Sequence, residues 1–234
     1  MPAIHTDRLA AITTLAIGKH KAYSKKMCAM EAVAYISGEP WSDAPACASP
    51  VIAAFVRRWN NALPDADRTR LLLPLVPEIV GTRTTDADDV TRAWMATDWL
   101  VRTHVPAWLT LAGMSDHAAA LAGCDPVTSG EALRQAVPLC ESARSSAWYA
   151  ARSAAWSAAR SAAWSAAWSA AESAAGSAAE SAEESAAGFA ARYAARSAAE
   201  HGTDLAPTVA MLQASAQDLV RRMCAVGRSP EEAS

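Results

Sequence analysis

Residues Ser145 to Glu200 repeat one unit, Ser-Ala-Ala-X, and this period restricts the fold more than any other feature of the chain. The X positions run through Arg152, Trp156, Arg160, Trp164, Trp168, Glu172, Gly176, Glu180, Glu184, Gly188, Arg192, Arg196 and Glu200. Alanine has the highest helix propensity because it loses no side-chain entropy on ordering. It is depleted in strands, and a period of four is incompatible with strand alternation. The tract is therefore predicted to be helical. A helix turns about 100° per residue, so each four-residue step overshoots a full turn by about 40°. The X side chains wind round the axis, and a straight helix would present no continuous seam. The expectation is a tract interrupted near Gly176 and Gly188, each glycine costing about 1 kcal/mol relative to alanine. Its pieces would pack through their alanine faces, as a hairpin or an array.

The X residues also have a chemical order. Arg144, Trp148, Arg152, Trp156, Arg160 and Trp164 alternate one turn apart, a spacing that lets guanidinium groups stack on indoles. Trp148, Arg152, Trp156, Arg160, Trp164 and Trp168 are the candidate interaction surface. A basic-aromatic strip of this kind also suits single-stranded nucleic acid. However, Glu172, Glu180, Glu183 and Glu184 follow directly, and the net charge is −3, so a nucleic-acid partner is not expected. A protein partner or self-association is.

The rest of the chain reads as a sequence of helices. The expected first helix is His5–Ile17, closed by Gly18, and four lysines follow within Lys19 to Lys26. Met27–Ser37 is apolar on all sides apart from Glu31, so that carboxylate needs a buried partner. Pro50–Leu63 starts with proline in its first turn, where the missing N–H is harmless. Pro64 restarts a helix through Leu73. Asp86–Val105 carries acids in its first turn, where the helix dipole favours them, and Val90, Trp94, Trp99, Val101 and Val105 are its expected apolar bulk. Short helices are expected at Pro106–Ala112 and Ser115–Leu121. Thr128 or Ser129 is expected to cap a helix through Val137, with Pro138 opening the tract. A closing helix spans about Pro207–Val226. The expected class is all-α: an irregular helical bundle at 1–127, the alanine-rich helices at 128–200, and a closing helix with a polar tail at 201–234.

The run from Cys28 to Asp43, which contains Met30-Glu31, Tyr35 and Gly38-Glu39-Pro40-Trp41-Ser42-Asp43, is followed by Cys47 to Phe55 and Trp59-Asn60. Further stretches are Leu75 to Pro77 with Val80 to Arg83, Asp98 to Arg102 with Pro106 to Leu109, and Leu205 to Val209. Through these stretches most of the chain resembles an uncharacterised family of helical proteins from bacteria of high genomic GC content and from phages. The resemblance implies a helical architecture with an alanine-rich tract of variable length, and no activity. The alanine-rich helices are also similar in composition to toxin-immunity proteins, which adds an immunity-type or phage–host regulatory role as an alternative.

Chemistry is sparse. The five cysteines are scattered, with no C-x-x-C pair, as expected of reduced thiols in a cytoplasmic chain. The start of the chain lacks the basic and apolar pattern of a secretory signal. His20, Cys28, Asp43 and Cys47 lack zinc-ligand spacing, and neither metal nor cofactor is expected. No glycine-rich phosphate loop occurs. Cys28 beside Glu31, and His104 in a strong helix, are more simply core residues than nucleophile and base. The candidate binding residues are Glu31, Trp41, Asp43, Asp98 and Arg102, with Glu31, Asp98 and Arg102 as a possible polar network. The leading reading is a non-enzymatic interaction or scaffold protein. A small-molecule binder or enzyme built on the five polar and aromatic candidates is the alternative.

Overall fold

The computed structural model describes residues 3–22, 24, 26–151 and 205–228. They are helical, with no strand among them. The tract positions from Arg152 to Glu200 lie outside the described residues, as does Trp148 for its side chain. Among the described residues, no helix is long and apolar enough to cross a membrane.

The chain divides into two compact units, residues 1–92 with 216–234, and residues 93–215. In the first unit, α1 (Thr6–Ala10) packs on α2 (Ala29–Ser37). Arg8 Nη1 donates to Tyr35 O at 2.9 Å, and its guanidinium lies 5.3 Å from the Tyr35 ring centre. The predicted helix through Ile17 stops at Ala10. Ile12, Thr13 and Thr14 are β-branched, weak helix formers. Tertiary hydrogen bonds claim the following amides: Leu15 N donates to Thr69 Oγ1 at 2.9 Å and Ala16 N to Met27 O at 2.8 Å.

Helix α2 is buried nearly throughout and ends at Gly38, which takes φ 76°, the left-handed conformation that glycine reaches without penalty. Helix α3 (Pro50–Ala62) is capped by Ser49, whose Oγ accepts from Ile52 N. Helix α4 (Asp65–Leu72) runs into a tight turn, Leu73–Leu75, and the short α5 (Val76–Ile79). Phe55, Val56, Leu72, Leu75, Val76 and Ile79 are fully buried with α2.

Helix α6 (Asp86–Trp99) contributes to both units. Val90, expected on its apolar side, is 57% exposed, and Arg92 is fully buried instead. The helical path does not end at Pro106. It widens into a π-type turn at Leu100–His104 and continues as α7 (Val105–Leu111). The wider turn loosens the local ladder just where Pro106 has no N–H to give. Helix α8 (Ser115–Ala122) packs on α7 and on α9 (Gly130–Ala151). Ser129 caps α9, its Oγ accepting from Ala132 N at 3.2 Å. Pro138 was expected to start a new helix, but it sits inside α9, which runs unbroken into the first repeats of the tract. The last helix, α10 (Ala206–Ala225), contributes to both units and supplies Leu219, Val220 and Met223 to the core of the first.

Candidate functional site

Glu31 is the centre of the polar cluster in the first unit. It is fully buried, at the third position of α2. Its Oε2 accepts from Cys28 N at 2.8 Å while Cys28 Sγ accepts from Glu31 N, a reciprocal cap that satisfies two otherwise orphaned amides. The same carboxylate reaches across to the lysine loop. Oε1 accepts from His20 N at 2.6 Å, and Oε2 lies 2.8 Å from His20 Nδ1. His20 O in turn accepts from Trp41 Nε1 at 3.0 Å. Lys19 Nζ is 3.2 Å from Asp43 Oδ1, and Asp43 O accepts from Arg57 Nη1 at 2.9 Å. The structure thus gathers three of the five candidates, Glu31, Trp41 and Asp43, around Lys19 and His20.

Asp98 and Arg102 belong to the second unit. Asp98 Oδ1 accepts from Arg102 Nη1 at 3.3 Å and from Val127 N at 2.8 Å, which fixes the loop before α9. Nearby on the chain, His104 is buried against Trp99 and Trp108, and its Nε2 accepts from Trp108 Nε1 at 3.3 Å.

A second polar cluster was not legible in the sequence. Arg92 Nη1 lies 2.8 Å from Asp89 Oδ1, which also accepts from Ser49 Oγ at 2.5 Å. Arg92 Nε donates to Met223 O at 3.0 Å, and Nη2 donates to Val226 O at 2.7 Å and Thr84 Oγ1 at 3.1 Å. The guanidinium therefore holds carbonyls at the C-terminal end of α10, where Met223 O also accepts from Val226 N at 3.3 Å and Val226 lies just past the helix. Arg68 does the same for α3, donating to Asn60 O at 2.8 Å and Leu63 O at 2.5 Å. Arg228 donates to Glu78 O in the last turn of α5 and to Val80 O just past it. A lone apolar-pattern reading cannot find Arg92 or Arg228, because their carbonyl partners lie more than 130 residues along the chain.

The thiols are not poised for nucleophilic chemistry. Burial is the main cause that pushes both Cys28 and Cys224 up to about 12 from an ordinary 9.0. The sign of the consequence is definite. Above pH 9 the unfolded thiols ionise while the folded ones stay protonated, so the folded state binds more protons. Stability is then fully present below pH 9 and falls as pH rises toward 12, by up to about 1.4 kcal/mol per pH unit for each thiol. Urea unfolding midpoints at pH 8 and pH 10 will show the fall, and a Cys28→Ala/Cys224→Ala variant will show a shallower one.

Among the described residues, no group of three His, Cys, Asp or Glu side chains is placed to hold a metal ion, the set His20, Cys28, Asp43 and Cys47 included. No family model matches the chain, and no curated protein or solved structure shows significant similarity to it.

Proposed function

We propose that this is a non-enzymatic, cytoplasmic interaction or scaffold protein whose contact surface is the alanine tract. The observation that supports this reading is how the acids and thiols of the two units are used. Glu31 is bonded to two main-chain amides and an imidazole, and Asp98 to a main-chain amide and Arg102. Asp89 is bonded to Ser49 and Arg92, and the Cys28 and Cys224 thiols are held protonated. Groups that fix loops and helix ends in this way build a support. The tract enters from α9, which is already helical across Ser145–Ala151. On this reading the tract is an interrupted helical array, with Trp148, Trp156, Trp164 and Trp168 as its anchors for a protein partner or a second copy, indole being a favoured anchor at interfaces. Replacing 152–204 by a short Gly-Ser linker will remove self-association and the partners held by the tract, read by sedimentation velocity and quantitative pull-down.

One observation favours a second reading, a small-molecule site in the first unit. A buried carboxylate holding Nδ1 of a part-exposed histidine is the pairing that orients general bases and ligands. A metabolite bound there will raise the melting temperature, and the rise will vanish in a His20→Ala variant.

A further inference from the structure

Every lysine of this chain lies between residues 19 and 26. Lys and Arg together number 21, the four lysines are Lys19, Lys21, Lys25 and Lys26, and the remaining 17 cations are all arginines, none of them in this stretch. The two types are used differently. Arginines 8, 57, 68, 92 and 228 direct their planar forks at main-chain carbonyls. Lys19, Lys21 and Lys26 face solvent, Lys19 with 70% of its side chain exposed.

The loop that carries them is closed at its ends and anchored over residues 16–20. Ala16 N donates to Met27 O at 2.8 Å, which brings its ends together. Gly18 N donates to Asn61 Oδ1 at 3.0 Å. Glu31 holds His20 at two atoms, Trp41 holds His20 O, and Asp43 pairs with Lys19. A solvated lysine loop needs no such support. A fully buried carboxylate committed to the main chain of a surface loop makes sense if the position of the neighbouring side chains matters. Beside the lysines the loop exposes Ile17, 56% accessible in a chain with few large exposed apolar residues among those described, and the indole of Trp41 is half-buried beneath His20.

We propose that this loop, with Ile17, Lys19, Lys21, Lys26 and Trp41, is a docking surface for an acidic protein segment that also carries apolar side chains. Charge complementarity names the occupant: a local concentration of ammonium groups steers an acidic partner, an exposed isoleucine and an indole give it apolar contact, and the fixed loop lowers the ordering lost on binding. Nucleic acid fits less well. The loop has no arginine to take phosphate or guanine bidentately, and Asp43 stands beside Lys19. This surface deepens the interaction role proposed above and is separate from the tract.

The test uses the full-length chain and a fluorescein-labelled peptide of alternating Glu and Leu, read by anisotropy at low and high salt, with a labelled oligo-dT of similar charge as the second probe. Lys19→Glu/Lys21→Glu/Lys26→Glu is expected to weaken peptide binding more than tenfold, and Lys→Arg at the same positions to preserve it. Glu31→Gln leaves every surface group in place and loosens the loop; it is expected to weaken binding several-fold while circular dichroism keeps the helical signal. Replacing 152–204 is expected to leave peptide affinity unchanged, which separates this surface from the tract. The proposal is overturned if the peptide fails to bind, if it binds the Lys→Glu variant equally, or if oligo-dT binds the loop more tightly than the peptide.

Discussion

Replacing Arg92 by methionine will destabilise the protein by about 3–5 kcal/mol, the cost typical of removing one partner from a buried ion pair. The guanidinium is fully buried and makes four contacts in three directions, to Asp89, to Thr84 and to the carbonyls of Met223 and Val226. Methionine fills the volume and leaves the Asp89 carboxylate buried with Ser49 and the distant, weakly placed Arg83 at 3.5 Å. The Val226 carbonyl loses its donor as well, costing roughly 1–3 kcal/mol if no water replaces it, and Met223 O is left with the 3.3 Å bond from Val226 N. Lysine will not rescue, since a single ammonium cannot span the fork. An Asp89→Asn/Arg92→Met double variant will recover part of the loss, because the orphaned charge is gone. Urea denaturation measures all four proteins; a loss below about 1 kcal/mol for Arg92→Met would show that the cluster is not a stabilising clasp.

The second large effect concerns the C-terminal helix. A chain ending at residue 204 will lose cooperative unfolding of its first unit and will bind a hydrophobic dye. Leu219, Val220 and Met223 are fully buried there, and each contributes roughly 1.5–3 kcal/mol by burial. Their sum approaches the whole stability of an ordinary domain, about 5–15 kcal/mol. The polar contacts go too: Gln217 Nε2 to Leu71 O at 2.8 Å, Arg92 to the end of α10, and Arg228 to Glu78 O and Val80 O. A synthetic peptide covering 205–228, added in trans, is expected to restore the transition. A truncated chain that unfolds as sharply as the full one would mean that residues 1–92 form their core alone.

How much of this was readable beforehand follows from the range of the interactions concerned. Features set within a few residues were legible. Pro50 in the first turn announces the start of α3, Gly38 the end of α2, and the acids from Asp86 the start of α6. The helical class followed from the same local signals. Features set by distant partners were not. Arg92 looks like a surface residue until residues 223 and 226 supply its carbonyls, whereas Asp98 and Arg102, one turn apart, drew attention as a pair. Val90 has the apolar type of an inward residue and lies outward because Arg92 takes the buried side. Pro138 carries the local signal of a helix boundary, yet a helix tolerates an interior proline when the surrounding turns continue to pack, and Leu133, Ala136, Cys140 and Ala143 are buried on either side of it. For the candidate site, Glu31 was found because a carboxylate in an apolar helix demands a partner; His20 as that partner was not, since it comes from a loop whose course no periodicity encodes.

The central claim is that the two units support a tract which makes the contacts. The direct measurement compares the full chain with one in which 152–204 is replaced by a short Gly-Ser linker. Both are assayed for thermal unfolding and for partners recovered by quantitative pull-down and sedimentation. The account predicts that the melting temperature of the units is retained within a few degrees while self-association and tract-dependent partners are lost. Unchanged self-association, with every partner still bound at full occupancy after the replacement, would contradict it.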